Sequence, residues 1–317
     1  MKIQYAIHKF TLNFLEPCEL PEFKGSTLRG GLGHALKRSV CLFKNKICSE
    51  CPLCQECAYA YVFESIPQKK IELASFGKYK TVPHPFIIEP PEEACKHYNQ
   101  GESLTFNIIL IGKSTGYLPY FVMAFHRLGE IGIGKGKKKF ILENVVTDGK
   151  IIYKADNKEL LPANPSEFII PENYDFTQLE ESEIVIEFQT PIRIKYNRNN
   201  VTKLEFFILI TNILRRIMLL NYFHGDGQSP KWDHKKIIEE AKKVIIKYNH
   251  LSWFDWERYS NRQKTRMKLG GLKGSISYRG PLEPFLPLLK AGELFHAGKG
   301  TSFGLGKFFI KEVLPGD

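Results

Sequence analysis

The sequence predicts an α+β protein made of two tandem copies of one βαββαβ plan. Three observations carry this reading. Apolar periodicity gives strand, helix, strand, strand, helix, strand over residues 1–150, and the same order over 183–317. A lysine-bearing glycine loop precedes the last strand in both halves, as GIGKGKKKFILENV and FGLGKFFIKEV. That order is the ferredoxin-like one.

The elements follow in turn. Residues 2–15 alternate in polarity and read as a strand with Ile3, Tyr5 and Ile7 on one face. The glycine-rich entry KGSTLRGGLG leads into a helix to about residue 43, with Ser26 or Thr27 as its cap. A cysteine-rich insertion occupies about 41–64, followed by strands at HPFIIEP and SLTFNIILIG. The helix YLPYFVMAFHRLG, the loop GIGKGKKK and the strand FILENVV complete the first half. Residues 151–182, rich in proline, asparagine and acid, read as a linker. In the second half EIVIEFQTPIRIKY is a strand and TKLEFFILITNILRRIMLLNYF a long amphipathic helix. HKKIIEEAKKVIIKY reads as an added helix. HLSWFDWERYS and GGLKGSISYRG read as paired strands, EPFLPLLKAGELF as a helix and KFFIKEV as the closing strand.

Composition narrows the function classes. The chain has 317 residues, with 45 Lys plus Arg against 34 Asp plus Glu, a formal charge of +11. That excess attracts polyanions, and many basic residues of the last hundred positions stand beside glycine or aromatics, which favours RNA or DNA. The plain alternative is a lysine-rich proteome. No apolar run is read as reaching the roughly 18 residues of a membrane span, and the N-terminus lacks a signal-peptide pattern, so a cytoplasmic protein without a membrane partner is expected.

Neither glycine loop is a nucleotide site. A P-loop needs G-x-x-x-x-G-K-[ST] between a strand and a helix, whereas Gly298-Lys299 follows a helix and precedes a strand. A structural turn and a clamp on polynucleotide phosphates remain. Lys299 and Lys307 around Gly298, Gly300, Gly304 and Gly306 favour the clamp, as do Lys135, Lys137, Lys138 and Lys139 in the first loop. In ERYSNRQKTRMK, alternation puts Arg258, Ser260 and Arg262 on one face and Tyr259 on the other; the first set reads RNA backbone or forms a solvated edge. Trp253 and Trp256 read as core or interdomain packing.

Cys41, Cys48, Cys51, Cys54 and Cys57 give C-x6-C-x2-C-x2-C-x2-C. Thiols at this density in a reducing compartment point to a metal. Zinc leads, with an iron–sulfur cluster as the rival, because Ala58 stands where the proline of a typical cluster motif would be.

Taken together, STLRGGLGHALKR, CSECPLCQECAYAYVFE, WFDWERYSNRQKTRMKLGGLKG and LFHAGKGTSFGLGKF resemble the RAMP-superfamily endoribonucleases that process precursor CRISPR RNA, and the resemblance covers nearly the whole chain. It implies cleavage of CRISPR repeat RNA without a catalytic metal. The 2′-hydroxyl attacks the phosphate and leaves 2′,3′-cyclic phosphate and 5′-hydroxyl ends, and the enzyme keeps hold of the crRNA. It also implies a prokaryotic source and CRISPR effector subunits as further partners. The chemistry asks for a base, an acid and positive charge at the phosphate. His34, in or near the first helix, leads for proton transfer, followed by His296 and Tyr259, with His224 as a helix-end residue. Arg29 and Lys37 join the RNA-binding set, and Cys41, Cys48, Cys51 and Cys57 the metal set, with Cys54 as an alternative. The aromatic RNP1 signature is missing, so base stacking on a sheet is not expected. The alternatives are a catalytically silent RAMP subunit that binds crRNA in an effector complex, and a metal-containing nucleic-acid-binding regulator.

Overall fold

The computed structural model describes residues 1–43, 46–66, 82–177, 180–227, 232–255, 257–260, 265–268 and 270–315, the segments 257–260 and 265–268 by their backbone. The chain divides into two compact units. One comprises Ile3–Glu167 with Phe223–Gly227, and the other Met1–Lys2, Phe168–Tyr222 and Gln228–Asp317.

The first unit contains strand β1 (Lys2–Phe14), helix α1 (Gly25–Val40), β2 (Phe86–Glu89), β3 (Ser103–Ile111), α2 (Leu118–Ile131), β4 (Phe140–Thr147) and β5 (Lys150–Lys154). The sheet runs β2-β3-β1-β4-β5, all antiparallel, which is the ferredoxin-like order with one strand appended. Along β1, Ala6, Phe10, Leu12 and Phe14 point into the core, and on the alternate face Ile3 is buried, Tyr5 half-buried and Ile7 exposed. Phe10 stacks on Phe106 and meets Phe125 of α2, which locks helix to sheet.

Helix α1 ends at Val40 and begins after Lys24. No side chain caps it; Ser26 lies inside the first turn, and its buried hydroxyl has no partner among the described residues. The cap is a buried lysine instead, whose ammonium donates to the Glu22 and Glu93 carbonyls. The stretch expected as a linker holds β5 and a short strand at Ser166–Ile169.

The second unit repeats the plan with β6 (Ser182–Ile192), α3 (Phe206–His224), α4 (His234–Ala241), β7 (Ile245–Asn249), β8 (Ser252–Phe254), a hairpin of β9 (Glu257–Ser260) and β10 (Thr265–Lys268), β11 (Gly271–Gly280), α5 (Leu286–Phe295) and β12 (Phe308–Pro315). Its sheet runs β7-β11-β6-β12, with β8 also on β11. The added helix is therefore half as long as expected. It stops at Ala241, and Ile245–Asn249 pairs with β11 because β-branched Ile-Ile and an alternating side-chain pattern suit an edge strand. α3 is 19 residues long and apolar enough to cross a membrane. That corrects the expectation that no run reaches this length. Leu209, Ile210, Leu214 and Leu220 are nevertheless fully buried, which marks α3 as a core helix. α3 and α5 lie on one sheet face, where a Cβ on Gly292 would meet Ile213 and Phe308.

One core residue makes stability depend on pH. His8 is buried and its Nδ1 lies 2.6 Å from Thr147 Oγ1. Burial pushes its pKa down to about 4 from 6.5, against a smaller opposing effect of Asp148. The unfolded chain therefore takes up a proton between these values while the folded chain does not, so stability is full above about 6.5 and falls as pH drops towards 4. The loss is expected to reach roughly 3 kcal/mol. Urea unfolding at pH 7.5 and 4.5 should show it in the wild type, and His8→Gln should flatten the difference.

Candidate nucleic-acid interface

In the first unit, α1 presents two different faces. Leu28, Leu32, Ala35 and Leu36 are fully buried. Gly31 and Gly33 belong to that packed side, since a Cβ would come within 2.7 Å of Leu128 and 2.5 Å of Phe63 respectively. The GGLG run is thus a helix-packing device rather than a phosphate cradle. On the opposite face His34 and Arg38 are exposed, one turn apart, with Lys37 adjacent and its ammonium 5.4 Å from the Tyr59 ring. Arg29 is held inside: Nη2 donates to His84 Nε2 at 2.8 Å, and the guanidinium stacks over Phe63. His84 Nδ1 in turn lies 3.1 Å from Ser65 Oγ. Arg29 therefore fixes an internal network and does not join the exposed cations.

The first glycine loop closes on itself. Ile133 and Lys138 form an antiparallel bridge, and a Cβ on Gly132 would sit 1.9 Å from the Lys137 carbonyl oxygen. Glu16 anchors it, accepting from the Lys139 N–H at 2.9 Å and from Lys138 Nζ at 3.2 Å. These bonds hold the Glu16 carboxyl below its usual range, the backbone N–H contributing most. Lys135 and Lys137 remain exposed at the tip.

In the second unit the closing loop is built from glycines with positive φ, Gly298 at 82°, Gly300 at 80°, Gly304 at 88° and Gly306 at 73°. Gly306 has no alternative, because a Cβ would lie 1.7 Å from the Ala297 oxygen. The loop's N–H groups bond to the protein itself: Ala297 to Gly306 O, Gly298 to Asn212 Oδ1, Lys299 to Arg193 O, Gly304 to Thr301 O, Gly306 to Pro191 O and Lys307 to Thr190 Oγ1. These amides are engaged by the fold, which corrects the expectation that they grip phosphates. His296 is buried, and its Nδ1 lies 3.1 Å from the Leu305 carbonyl oxygen, so it holds the loop in shape.

What this scaffold presents is charge. Burial lowers the pKa of Lys299, and Lys195, Arg193 and Arg215 push it the same way. Four cations, from the segment after β6, from α3 and from the loop, thus lie close enough to feel one another's charge. Positive charge gathered in this way attracts an anion. Lys307 shares the loop. Arg193, Lys195 and Arg215 were not among the expected binding residues; the period-two pair in IRIKY and the adjacent arginines of LRR are the signals that point to them.

The remaining candidates fall elsewhere. His224 is buried, with Nε2 2.8 Å from the Pro83 carbonyl oxygen and Nδ1 3.2 Å from the Tyr61 hydroxyl, so both ring nitrogens are engaged. Arg258 and Tyr259 lie on the hairpin, where their backbones pair with Met267 and Arg266. Arg262 and Trp256 lie outside the described residues. Trp253 is 39% exposed rather than core, and its indole donates to Asp255.

The cysteines offer a donor set suited to a thiophilic metal. Burial raises the Cys48 thiol pKa, and the nearby Cys57 and Cys41 add to the shift. The Cys51 N–H bonds to the Cys48 carbonyl at 3.3 Å, and the Cys54 N–H to that of Cys51 at 2.9 Å, forming successive turns. Among the described residues no three Cys, His, Asp or Glu side chains stand in metal-holding geometry, so the thiols are gathered without being closed around a centre.

Comparisons with known proteins follow the division into halves. Residues 3–165 match a family model described as the AF_1859 N-terminal domain. Residues 186–308 match the model of the CRISPR-associated endoribonuclease Cas6. An uncharacterised protein of Archaeoglobus fulgidus is 25% identical over 308 residues, covering 92% of this chain and 93% of its own length. In fold the chain is similar to Thermus thermophilus Cas6, with a TM-score of 0.54 at 11% identity, covering 97% of this chain and 98% of that one. It is also similar to a chain of a partial Cas6-RT-Cas1–Cas2 complex, with a TM-score of 0.57 at 16% identity. The match covers 98% of this chain but spans only 46% of that longer one.

Two glycines separate packing from freedom. Gly306→Ala is expected to lower stability by at least about 3 kcal/mol, through the clash and the positive φ together. Gly30→Ala, in α1 with nothing within 4 Å, should raise it by roughly 0.5–1 kcal/mol. Thermal melts of both variants check the pair.

Proposed function

The chain carries a CRISPR-associated endoribonuclease Cas6 domain at residues 186–308, and from that premise we propose that it is a Cas6-type enzyme that cuts CRISPR repeat RNA without a catalytic metal. The 2′-oxygen upstream of the scissile phosphate attacks phosphorus as the bond from phosphorus to the 5′-oxygen breaks. A base takes the 2′-hydroxyl proton and an acid returns one to the leaving 5′-oxygen, giving cyclic-phosphate and 5′-hydroxyl ends. His34 is the group we assign to the 2′-hydroxyl proton. The observation that carries this is its exposure on α1 beside Lys37 and Arg38, whereas His296 and His224 are buried and engaged. Tyr259, on the hairpin, is the candidate for the second proton.

The four cations around Lys299 and the exposed lysines 135 and 137 hold backbone phosphates, and through them the product crRNA stays bound. A similar fold occurs in a Cas6 product complex and in a partial Cas6-RT-Cas1–Cas2 complex. Other CRISPR proteins are accordingly the partners to test here. The cysteines hold a structural zinc, through Cys41, Cys48, Cys51 and Cys57, with an iron–sulfur cluster as the competing occupant. The metal would staple the insertion and take no part in the cut.

Repeat RNA incubated with the protein in excess EDTA should yield cyclic-phosphate ends. His34→Ala should slow this by about 10²–10⁴-fold with RNA affinity retained. Unimpaired cleavage by His34→Ala removes the assignment. Tight binding without any cleavage by the wild type would make the chain a crRNA-binding subunit instead. Elemental analysis with a visible spectrum should find about one zinc per chain, lost in Cys48→Ser; a broad visible absorption would give iron–sulfur.

A further inference from the structure

The second unit's sheet packs one face on its helices; on the other, Glu183, Val185 and Ser277 are buried and the margin at His250 is exposed. Tyr278 and Phe206 meet on the covered side, 5.1 Å apart, and the Tyr278 hydroxyl donates to the Leu204 carbonyl. A cleft of about 350 Å³ on the opposite side is lined by Val185 and Glu187 of β6, Tyr248 of β7, Ser275 of β11, Lys311 and Glu312 of β12, and His250. That volume lies at the low end of the range for small-molecule sites and has room for a planar ring.

An aromatic series runs along one edge of the cleft. The rings of Tyr248 and His250 lie 5.1 Å apart at 34°, a tilted stack. The chain then crosses into β8, whose Phe254 is 46% exposed with the Lys273 ammonium 5.7 Å from its ring. Gly274 makes this path possible: at φ 121°, a Cβ there would come within 2.5 Å of the His250 carbonyl oxygen. The His250 N–H bonds to Ser275 O at 2.9 Å, fixing the corner between the two strands. Lys311 stands across the cleft at a bulge in β12, ion-paired at 3.4 Å to Glu187 and leaving it for a phosphate only by exchange. Lys247, beside Tyr248, is ion-paired to Glu183.

We propose that this face, with Tyr248, His250 and Phe254 as stacking groups and Lys273 and Lys311 as phosphate partners, binds unpaired bases of single-stranded RNA. Rings spaced along neighbouring strands, half-buried at Tyr248 and exposed at His250 and Phe254, with lysines beside them, are what sequence-tolerant single-strand binding uses. A face of apolar side chains without cations would instead suit a protein partner. The missing RNP1 signature does not bear on it, since these aromatics lie on the edge strands β7 and β8 rather than in a contiguous central-strand motif. The proposal rests on reading the chain as an RNA-binding protein, and it adds a site for RNA outside any paired stem, separate from the four cations at the closing loop.

The test titrates 5′-fluorescein-labelled decaadenylate with the full chain and reads fluorescence anisotropy. Tyr248→Ala and Phe254→Ala should each weaken binding at least about fivefold, whereas Tyr248→Phe, which keeps the ring, should stay within about twofold of wild type. Circular dichroism melts establish that the variants are folded. Unchanged affinity in both alanine variants overturns the proposal, as does failure of the wild type to bind or an equal loss in Tyr248→Phe. Repeat-RNA cleavage is scored on the same preparations. Ring-dependent decaadenylate binding without wild-type cleavage would sink the nuclease reading alone. Cleavage with ring-independent binding would sink the platform alone.

Discussion

The contact between Gly306 and the carbonyl of Ala297 organises the second unit. No side chain fits between them, and the chain can turn there only with φ at 73°. Once the turn closes, the Ala297 N–H meets Gly306 O and the Gly306 N–H meets Pro191 O, tying the end of α5 to the end of β6. Asn212 of α3 then reaches the Gly298 N–H, and Arg193 O the Lys299 N–H. Helix, strand and loop are fixed against one another by backbone bonds, and the cations they carry are fixed with them.

This changes the role of the glycines. A glycine-rich loop with lysines invites a picture in which bare amides wrap a phosphate. Here these amides satisfy the fold, and in the proposed function contact with a phosphate is left to side chains. Burial lowers the Lys299 pKa most, and the nearby Lys195, Arg193 and Arg215 lower it further; a phosphate there would offset their repulsion. The first unit follows the same logic: Glu16 secures the loop's base and leaves Lys135 and Lys137 outward, while the glycines of α1 admit Leu128 and Phe63.

Much of the fold was legible because its signals are local and periodic. The alternation of β3, the helical stripe of α2 and the two closing loops repeat at matching points, and both sheets have the expected strand order. The errors arose where a short segment is ambiguous on its own. KKVIIKY continues a helical pattern, and only pairing with β11 makes Ile245–Asn249 a strand. The site was less legible. His34 stands out by its place in a helix, but Arg29 looks equally available until its bond to His84 is seen. Arg193, Lys195 and Arg215 are separated in sequence and become one feature only when a strand end and a helix turn meet the loop. The stacking series at Tyr248, His250 and Phe254 was hidden by reading its first residue as helical.

The central claim is a nucleophile supplied by the RNA itself, and a repeat RNA with a single 2′-deoxy nucleotide immediately upstream of the cut tests it most directly. If the account is right, this substrate binds as tightly as the all-ribose RNA and is not cut at that position. Cleavage of the deoxy substrate at the same bond would show that water or another group attacks, and would contradict it.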